Sequence, residues 1–489
     1  MRAAFRADDI RAAEAPLLAA DVPLMRQAAR AVATRTISIA RDRRAAGLNA
    51  DILVLVGGGN NGGDGLWAAH DLAQRGLAPV VLLATDHPHA EGLAAARGAG
   101  VQVVTRAELG EDVAPFASWF GIWLDALAGI GLSGPLRGEL GELVAALAEV
   151  RQEAPRHVIA VDTPSGLADD PAATRAIRAD ETHTFGAPKP ALLLPPACRA
   201  AGVVLVHDLG IPLDAEPAVV ELDTGDISEL WPRAGHLDHK YTRGVVGIDA
   251  GSATYPGAGI LATRAALAAG PGMVRFLGDR AIADRLPPEV VTAPGRIQAG
   301  LVGSGTEGGP DVAAALRDFR ERDIPVVVDA GALASRDELG AGPGQLVLTP
   351  HLGELATLLD DERAAVEADP VRYARAAATE FAAVVVAKGP ETVIAAPTGP
   401  VYTTPPGSPW LATAGSGDVL AGALAAALAQ FAARQEASEA TPPLAAQAAL
   451  AVALHAHAVD YCPSAPGPIR ASDLADALGP ALGALLAGQ

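Results

Sequence analysis

Cysteine is almost missing from this chain: Cys198 and Cys462 are the only two in 489 residues. Two such residues build neither a disulfide framework nor a CxxC metal knuckle, so the fold must rest on its apolar core. Aromatics are scarce as well, at 4%, which leaves an aliphatic core of Ala, Val and Leu around 53 glycines and 38 prolines. Charged residues amount to 19% against 50% hydrophobic ones, a balance that excludes global disorder. Positive charge is in deficit. The net charge of −20 argues against a nucleic-acid groove or an anionic membrane surface as the main partner, while leaving room for a small anion in one local pocket. No long apolar run is free of polar residues. The best one, Leu411 to Phe431, carries Asp418, Gly415, Gly417 and Gly422 and reads as a buried, glycine-led helix rather than a membrane span. The N-terminal stretch MRAAFRADDIRAAEAPLL has no apolar signal core, so a cytoplasmic protein is expected.

Lysine is the rarest charge. Only Lys189, Lys240 and Lys388 occur among 37 basic residues. A chain that uses Arg almost everywhere points, by its few lysines, to places where a compact ammonium does what a guanidinium fork cannot.

The length is about three times a typical domain of ~150 residues, giving a prior of two or three domains. The first half alternates short apolar runs with helical patterns. Asp51–Gly57, Pro79–Ala84, Val101–Val104, Gly121–Asp125 and His157–Asp162 read as strands; Gly65–Arg75, Ala90–Arg97 and Gly138–Val150 read as helices. This βαβα order predicts a parallel sheet covered on both faces. A second alternation runs through Gly244–Asp249, Gly272–Leu277, Gly300–Gly303, Ile324–Asp329, Gln345–Leu348 and Ala382–Val386. The boundary falls near residues 218 to 226, giving domains 1–219 and 220–489. Gln435 to Pro443 reads as a polar loop or helix end.

The first chemistry lies in Gly57-Gly-Gly-Asn-Asn-Gly-Gly-Asp-Gly65, after a buried strand and at the opening of a helix. Gly57, Gly59 and Gly62 satisfy GxGxxG, whose backbone N–H groups can bind a pyrophosphate, and Asp86 after the second strand could serve as the ribose acid. An ordinary strand–helix turn is the plainer reading. A plain dinucleotide fold leaves Asn60, Asn61 and Asp64 unexplained; adjacent amides and a carboxylate suit an amide, a sugar or a cation. Two further strands end in carboxylates, Asp125 and Asp162. Ligands of open parallel sheets sit at the strands' carboxyl ends, so Asn61, Asp125 and Asp162 can converge on one crevice. Gly129-Ile-Gly-Leu-Ser-Gly-Pro135 is another loop able to approach phosphate closely. Val161-Asp-Thr-Pro-Ser-Gly-Leu167 puts Asp162 and Ser165 on a tight turn, where capping is the alternative role.

These segments, together with Thr184-Phe-Gly-Ala-Pro-Lys-Pro190, resemble the NAD(P)H-hydrate epimerase family over most of residues 1 to 215. The resemblance implies interconversion of the R and S forms of NADHX and NADPHX, which carry a hydroxyl on the reduced nicotinamide ring. It implies that Asn60, Asn61, Gly62, Gly63 and Asp64, with Gly129, Ile130, Gly131, Leu132, Ser133, Gly134 and Pro135, hold the substrate. Asp162 would touch it as the acid–base residue. Asn61, Asp125 and Ser165 would ligate K+, for which hard oxygen donors are suited. Lys189 matches a family lysine. The family's LMENAG-like helix reads Leu24-Met-Arg-Gln-Ala-Ala29 here, without the acid and the glycine and with Gln for Asn.

In the second half the strongest signal is Leu411-Ala-Thr-Ala-Gly-Ser-Gly-Asp-Val-Leu-Ala-Gly422. Gly415 and Gly417 let consecutive N–H groups form an anion nest at a helix N-terminus. Asp418 then sits beside a bound phosphoryl group, where a base must stand to take a proton from an attacking hydroxyl. A helix-dipole partner is the alternative role. Ala387-Lys-Gly-Pro-Glu-Thr392 and Thr349-Pro-His-Leu-Gly-Glu354 follow strands, as do the glycine-rich exits Gly303-Ser-Gly-Thr306 and Tyr255-Pro-Gly-Ala-Gly259. From His239 to Gly422 these segments resemble the ADP-dependent NAD(P)H-hydrate dehydratases, which have a ribokinase-like fold. By that resemblance Ala258, Gly305, His351 and Asp418 contact the hydrate. Lys388, Gly389, Pro390, Glu391, Thr392 and Gly417 contact the nucleotide, and Mg2+ accompanies it. Phosphate passes from ADP to the ring hydroxyl and is then eliminated, leaving NAD(P)H and AMP. The family's DADAL-like segment is Asp329-Ala-Gly-Ala-Leu333, its GxG-L-G loop reads Gly303-Ser-Gly-Thr-Glu307, and its GN turn is Gly407-Ser408.

The expected architecture is thus an α/β chain: a Rossmann-like three-layer α/β/α domain followed by a ribokinase-like α/β domain. Its expected partners are NADHX, NADPHX and ADP, with no nucleic acid and no membrane, and a homo-oligomer is expected. Two rivals stay open at this point: a ribokinase-like small-molecule kinase using ATP, and a non-catalytic dinucleotide-binding scaffold.

Overall fold

The computed structural model describes residues 1–129, 136–168, 172, 175–342 and 344–488. The chain divides into two compact units, Ala3–Val219 and Met1–Arg2 with Val220–Gln489.

The first unit is built on a seven-stranded sheet in the order Gln102–Thr105, Val80–Leu83, Ile52–Val56, Ile122–Ala126, His157–Val161, Glu181–Phe185, Val203–His207, parallel throughout. Every residue of Ile52–Val56 is buried, as a strand covered on both faces requires. Side chains alternate between the faces. Ile52, Val54 and Val56 pack with Ala28, Val32 and Leu66 from the helices Leu24–Ala45 and Gly59–Gln74. Leu53 and Leu55 pack with Leu143, Val144 and Leu147 from Gly138–Glu153. From Ile52–Val56 the chain winds one way to Gln102–Thr105, then returns to wind the other way from Ile122–Ala126. The crevice between those two strands is therefore a topological switch point.

The glycine-rich segment differs from its sequence reading. The helix begins at Gly59 rather than near Gly65. A Cβ at Gly62 would lie 2.1 Å from Gly57 O, and one at Gly65 would lie 2.6 Å from Ala126 Cβ. These glycines let the first helical turn press onto the sheet; only Gly59, with φ 74°, supplies a left-handed turn. The strands Glu181–Phe185 and Val203–His207 are also additions to the sequence reading, for the first is rich in Thr, His and Glu rather than aliphatic.

The second unit has a parallel core running Val384–Ala387, Leu346–Leu348, Val326–Val328, Ala299–Val302, Val245–Asp249, Met273–Phe276. The strands Val393–Ala395 and Val401–Thr403 extend it antiparallel from Val384–Ala387. The helix Ser416–Glu436 is long and apolar enough to cross a membrane, yet 83% of its apolar window is buried inside the fold. It is a core helix, and small residues let its neighbours close in: a Cβ at Gly422 would meet Ala262 O of Pro256–Ala268 at 2.1 Å.

Candidate active sites

At the switch point of the first unit lies a cavity of about 600 Å³, lined by Asn60, Asn61, Asp64, Gly129, Asp162 and Lys189 among others. The residues between Asn60 and Asp64 separate by face. Asn60, Asn61 and Asp64 look into the cavity, whereas Gly62 packs on the sheet and Gly63 gives room to Met25, whose Sδ would sit 2.8 Å from a Cβ there. Gly129 reaches the wall; Ile130, Gly131, Leu132, Ser133, Gly134 and Pro135 lie outside the described residues. Asp86 sits exposed on the turn after Val80–Leu83 and lines no part of the cavity, so the structure does not bring it to a bound ribose there.

Asp162 follows Val161 at the sheet's carboxyl end with φ 68°. It forms a close buried ion pair with Lys189. Lys189 Nζ donates to Thr184 Oγ1 at 2.9 Å, and Thr184 Oγ1 donates to Asp162 Oδ1 at 3.2 Å. Thr184 is a member of this cluster that the sequence reading did not single out, although it opens the TFGAPKP segment. Glu14, on the helix Ala7–Ala19, also lines the cavity and was missed, because an amphipathic surface helix carries no motif. Burial and the charge of Asp162 raise the Glu14 carboxyl above its ordinary range. The same two causes, with Glu14 added, push Asp64 well above it.

Beneath the cavity wall, Asp125 is fully buried at the end of Ile122–Ala126. Ser165 N donates to its Oδ2 at 2.8 Å and Ser165 Oγ to its Oδ1 at 2.5 Å. Burial raises the Asp125 carboxyl to about 6, against the pull of those hydrogen bonds. Ala128 N donates to Ser165 Oγ at 2.9 Å. Asn61 Nδ2 donates to Val161 O at 2.8 Å and its Oδ1 accepts from Gly129 N at 3.3 Å. Asn61, Asp125 and Ser165 thus sit on one hydrogen-bonded wall. Their donor atoms are all hard oxygens, and among the described residues the buried carboxylate pairs with no Lys or Arg, so the set fits a monovalent cation chemically.

The helix that departs from the LMENAG pattern still forms the wall: Leu24, Met25 and Ala28 line the cavity. The changed residues point elsewhere. Gln27 is exposed, and Arg26 lies over the Trp67 ring at 3.8 Å and donates to Asp71 at 3.1 Å.

In the second unit, Gly415 caps Ser416–Glu436 in the left-handed region, φ 89°. Its open side is filled by neighbours: a Cβ there would lie 2.6 Å from Leu261 Cδ1 and 2.9 Å from Ala471 Cβ. Asp418 follows on the first turn. Lys388 leaves the end of Val384–Ala387, and its Nζ lies 3.6 Å from where a Gly417 Cβ would stand. Nucleotide-site and base candidates are therefore neighbours in space. Burial and the negative charge of Asp329 raise Asp418 to about 6, with Lys388 opposing. Burial pulls Lys388 down, but Asp329, Glu354 and Asp418 outweigh it and raise the ammonium. His455 lies under the turn with its Nε2 3.0 Å from Ser416 O; burial pulls it down to about 4, so it is neutral.

His351 caps Leu352–Leu358: its Nδ1 accepts from Glu354 N at 3.0 Å. Its backbone bridges to Lys388, which puts it on the same rim. Gly305 and Ala258 are in contact, for a Cβ at Gly305 would lie 2.3 Å from Ala258 Cβ. Gly389 and Pro390 are exposed, with Glu391 and Thr392 half-buried beyond them. Gly331, where DADAL has its second acid, has no room for a side chain: a Cβ would meet Thr306 O at 2.3 Å. Asp329, which opens that segment, is the carboxylate that holds Lys388, at 2.8 Å.

Residues 246–478 match the family model for NAD(P)H-hydrate dehydratase, and residues 21–191 match that for the YjeF-related protein N-terminus. The chain is 42% identical over 445 residues to the bifunctional NAD(P)H-hydrate repair enzyme of Mycobacterium tuberculosis, covering 88% of this chain and 89% of that one. It is 38% identical over 487 residues to the enzyme of the same description from Mycobacterium leprae, covering 96% of each. Among solved structures, an ADP/ATP-dependent NAD(P)H-hydrate dehydratase from Bacillus subtilis, co-crystallized with ATP and Mg2+, aligns with a TM-score of 0.48 and 24% identity, over 54% of this chain and 98% of that one.

Proposed function

The chain belongs to the family of bifunctional NAD(P)H-hydrate repair enzymes, and from that premise we propose that its two domains work in turn on damaged coenzyme. Residues 1–219 epimerise R and S NADHX and NADPHX. Residues 220–489 dehydrate the S form at the expense of ADP.

In the first domain, hydrating the ring's enamine double bond puts the hydroxyl on the carbon beside the ring nitrogen. Protonation of that hydroxyl lets the C–O bond break while the nitrogen lone pair moves in, and water returns to the other face. Asp162, held by Lys189 and Thr184 at the cavity wall, exchanges the proton. Asn60, Asn61, Asp64 and Gly129 orient the substrate, with Gly62 and Gly63 shaping the turn that carries them. Asn61, Asp125 and Ser165 would hold K+, which supplies positive charge next to the buried carboxylate.

In the second domain, Asp418 takes the proton of the ring hydroxyl. The hydroxyl oxygen attacks the β-phosphorus of ADP, the bond to AMP breaks, and the backbone N–H groups of Gly415 and Gly417 with the Lys388 ammonium stabilise charge on the phosphoryl oxygens. Loss of a proton from the neighbouring ring carbon then expels phosphate and restores the double bond. Hydroxide is a poor leaving group and phosphate a better one, which is what the nucleotide contributes. Ala258, Gly305 and His351 border the hydrate; Gly389, Pro390, Glu391 and Thr392 border the nucleotide. Mg2+ would come with the nucleotide and offset phosphate charge.

The observation that carries this reading is the Lys388 ammonium 3.6 Å from the Gly417 Cβ position, one residue from Asp418. A cytoplasmic homo-oligomer completes the reading; the edge strand Val203–His207, with Val203 63% and Val206 41% exposed, is where a second copy can pair. The test is Asp418→Asn with pure S hydrate and ADP. Dehydration should be lost with ADP binding nearly intact; near-wild-type turnover contradicts the base assignment.

A further inference from the structure

Asp329 is 2% exposed, and the three donors around it are all well placed. Lys388 Nζ and Thr349 Oγ1 each donate to Oδ1 at 2.8 Å. Ser304 Oγ donates to Oδ2 at 2.8 Å. The donors come from three separate strand exits, so the carboxylate ties together the ends of Ala299–Val302, Val326–Val328, Leu346–Leu348 and Val384–Ala387. A buried carboxylate with this coordination is expensive unless paired, and its cationic partner among the described residues is the ammonium facing the glycine turn.

We propose that Asp329 is a positioning residue for phosphoryl transfer: it anchors the Lys388 ammonium beside the Gly415–Gly417 turn and stands as the fixed negative charge behind Asp418. The inference rests on the dehydratase reading of this site. A lysine has a long, flexible stem, and without an anchor its charge would be spread over many positions. With the anchor, the ammonium is fixed where the phosphoryl charge develops, at no reorganisation cost in the transition state. The charged groups facing the Lys388 ammonium are Asp329, Glu354 and Asp418. His455 lies neutral beneath them, and His351 is turned into its own helix cap. Removing the Asp329 charge takes a like charge away from Asp418 and frees Lys388 to approach it. Both changes make Asp418 more acidic.

The experiment measures dehydration of S hydrate by Asp329→Asn across pH, with ADP and hydrate varied in turn. The ADP KM should rise about tenfold or more while the hydrate KM moves much less. The acid limb of kcat/KM should move to lower pH by roughly half a unit or more. Ser304→Ala with Thr349→Val, which loosens Asp329 without removing its charge, should raise the ADP KM severalfold and leave the acid limb in place. This pair gives a reading even if Asp329→Asn fails to fold. An unchanged ADP KM in either variant, or an acid limb that stays put in Asp329→Asn, overturns the inference. Wild-type enzyme inactive with S hydrate and ADP would instead overturn the function on which it rests.

Discussion

Ser165 Oγ donates to Asp125 Oδ1 at 2.5 Å, at the fully buried end of a central strand. Hydrogen bonds alone leave the Asp125 carboxyl raised to about 6, so a cation bound beside it would relieve the cost of ionising it. A carboxyl raised on folding costs stability as pH climbs from its unfolded value through its folded one, and the full cost, about 3 kcal/mol, applies above both. Potassium held by Asn61, Asp125 and Ser165 should offset it. The melting temperature of the protein should therefore rise with KCl relative to equal ionic strength of a bulky cation at pH 8, and hardly at all at pH 4.5. Equal gains at both pH values would detach K+ from Asp125.

Lys189 and Asp162 form a buried pair, and removing one partner strands the other. Lys189→Met should cost about 3–5 kcal/mol of stability in the first domain. Calorimetry should show an early transition for that domain, and epimerisation should fall while dehydration of pure S hydrate persists. A melting curve that matches the wild type would mean the pair is not formed.

Asp418 must be ionised to accept a proton, and burial with Asp329 places it at about 6. The kcat/KM for S hydrate should fall tenfold per unit below that pH and level off above it. A flat profile down to pH 5 would require another base.

Gly415 is left-handed and walled in by Leu261 and Ala471. Gly415→Ala should cost more than about 1 kcal/mol and raise the ADP KM more than the hydrate KM. Binding titrations with ADP check it; unchanged ADP affinity would place the phosphates away from this turn.

Much of this was legible in the sequence, for identifiable reasons. Ile52–Val56, buried on both faces, had to be a continuous apolar run, and Asp125, Asp162 and Asp418 stand where strand ends and glycine turns announce them. The rule that found Asp125 and Asp162, a carboxylate at a strand's end, applies equally to Asp329; its part in the site showed only in space, because its partners come from three distant exits. Glu181–Phe185 was hidden because its residues are polar yet buried: Arg35 and His157 satisfy Glu181, and Thr182 donates to Ala201 O at 2.6 Å. The start of the glycine helix was misplaced because glycine for close packing and glycine for a turn look alike in one dimension.

The most direct measurement is the time course of reduced-nicotinamide absorbance after mixing both epimers of NADPHX with ADP. Wild-type protein should carry recovery to completion with phosphate and AMP released in equal amounts. Asp162→Asn should stop at the S fraction, and Asp418→Asn should recover nothing. A phosphorylated hydrate that accumulates without reduced coenzyme, or no change in the absorbance at all, would contradict the account.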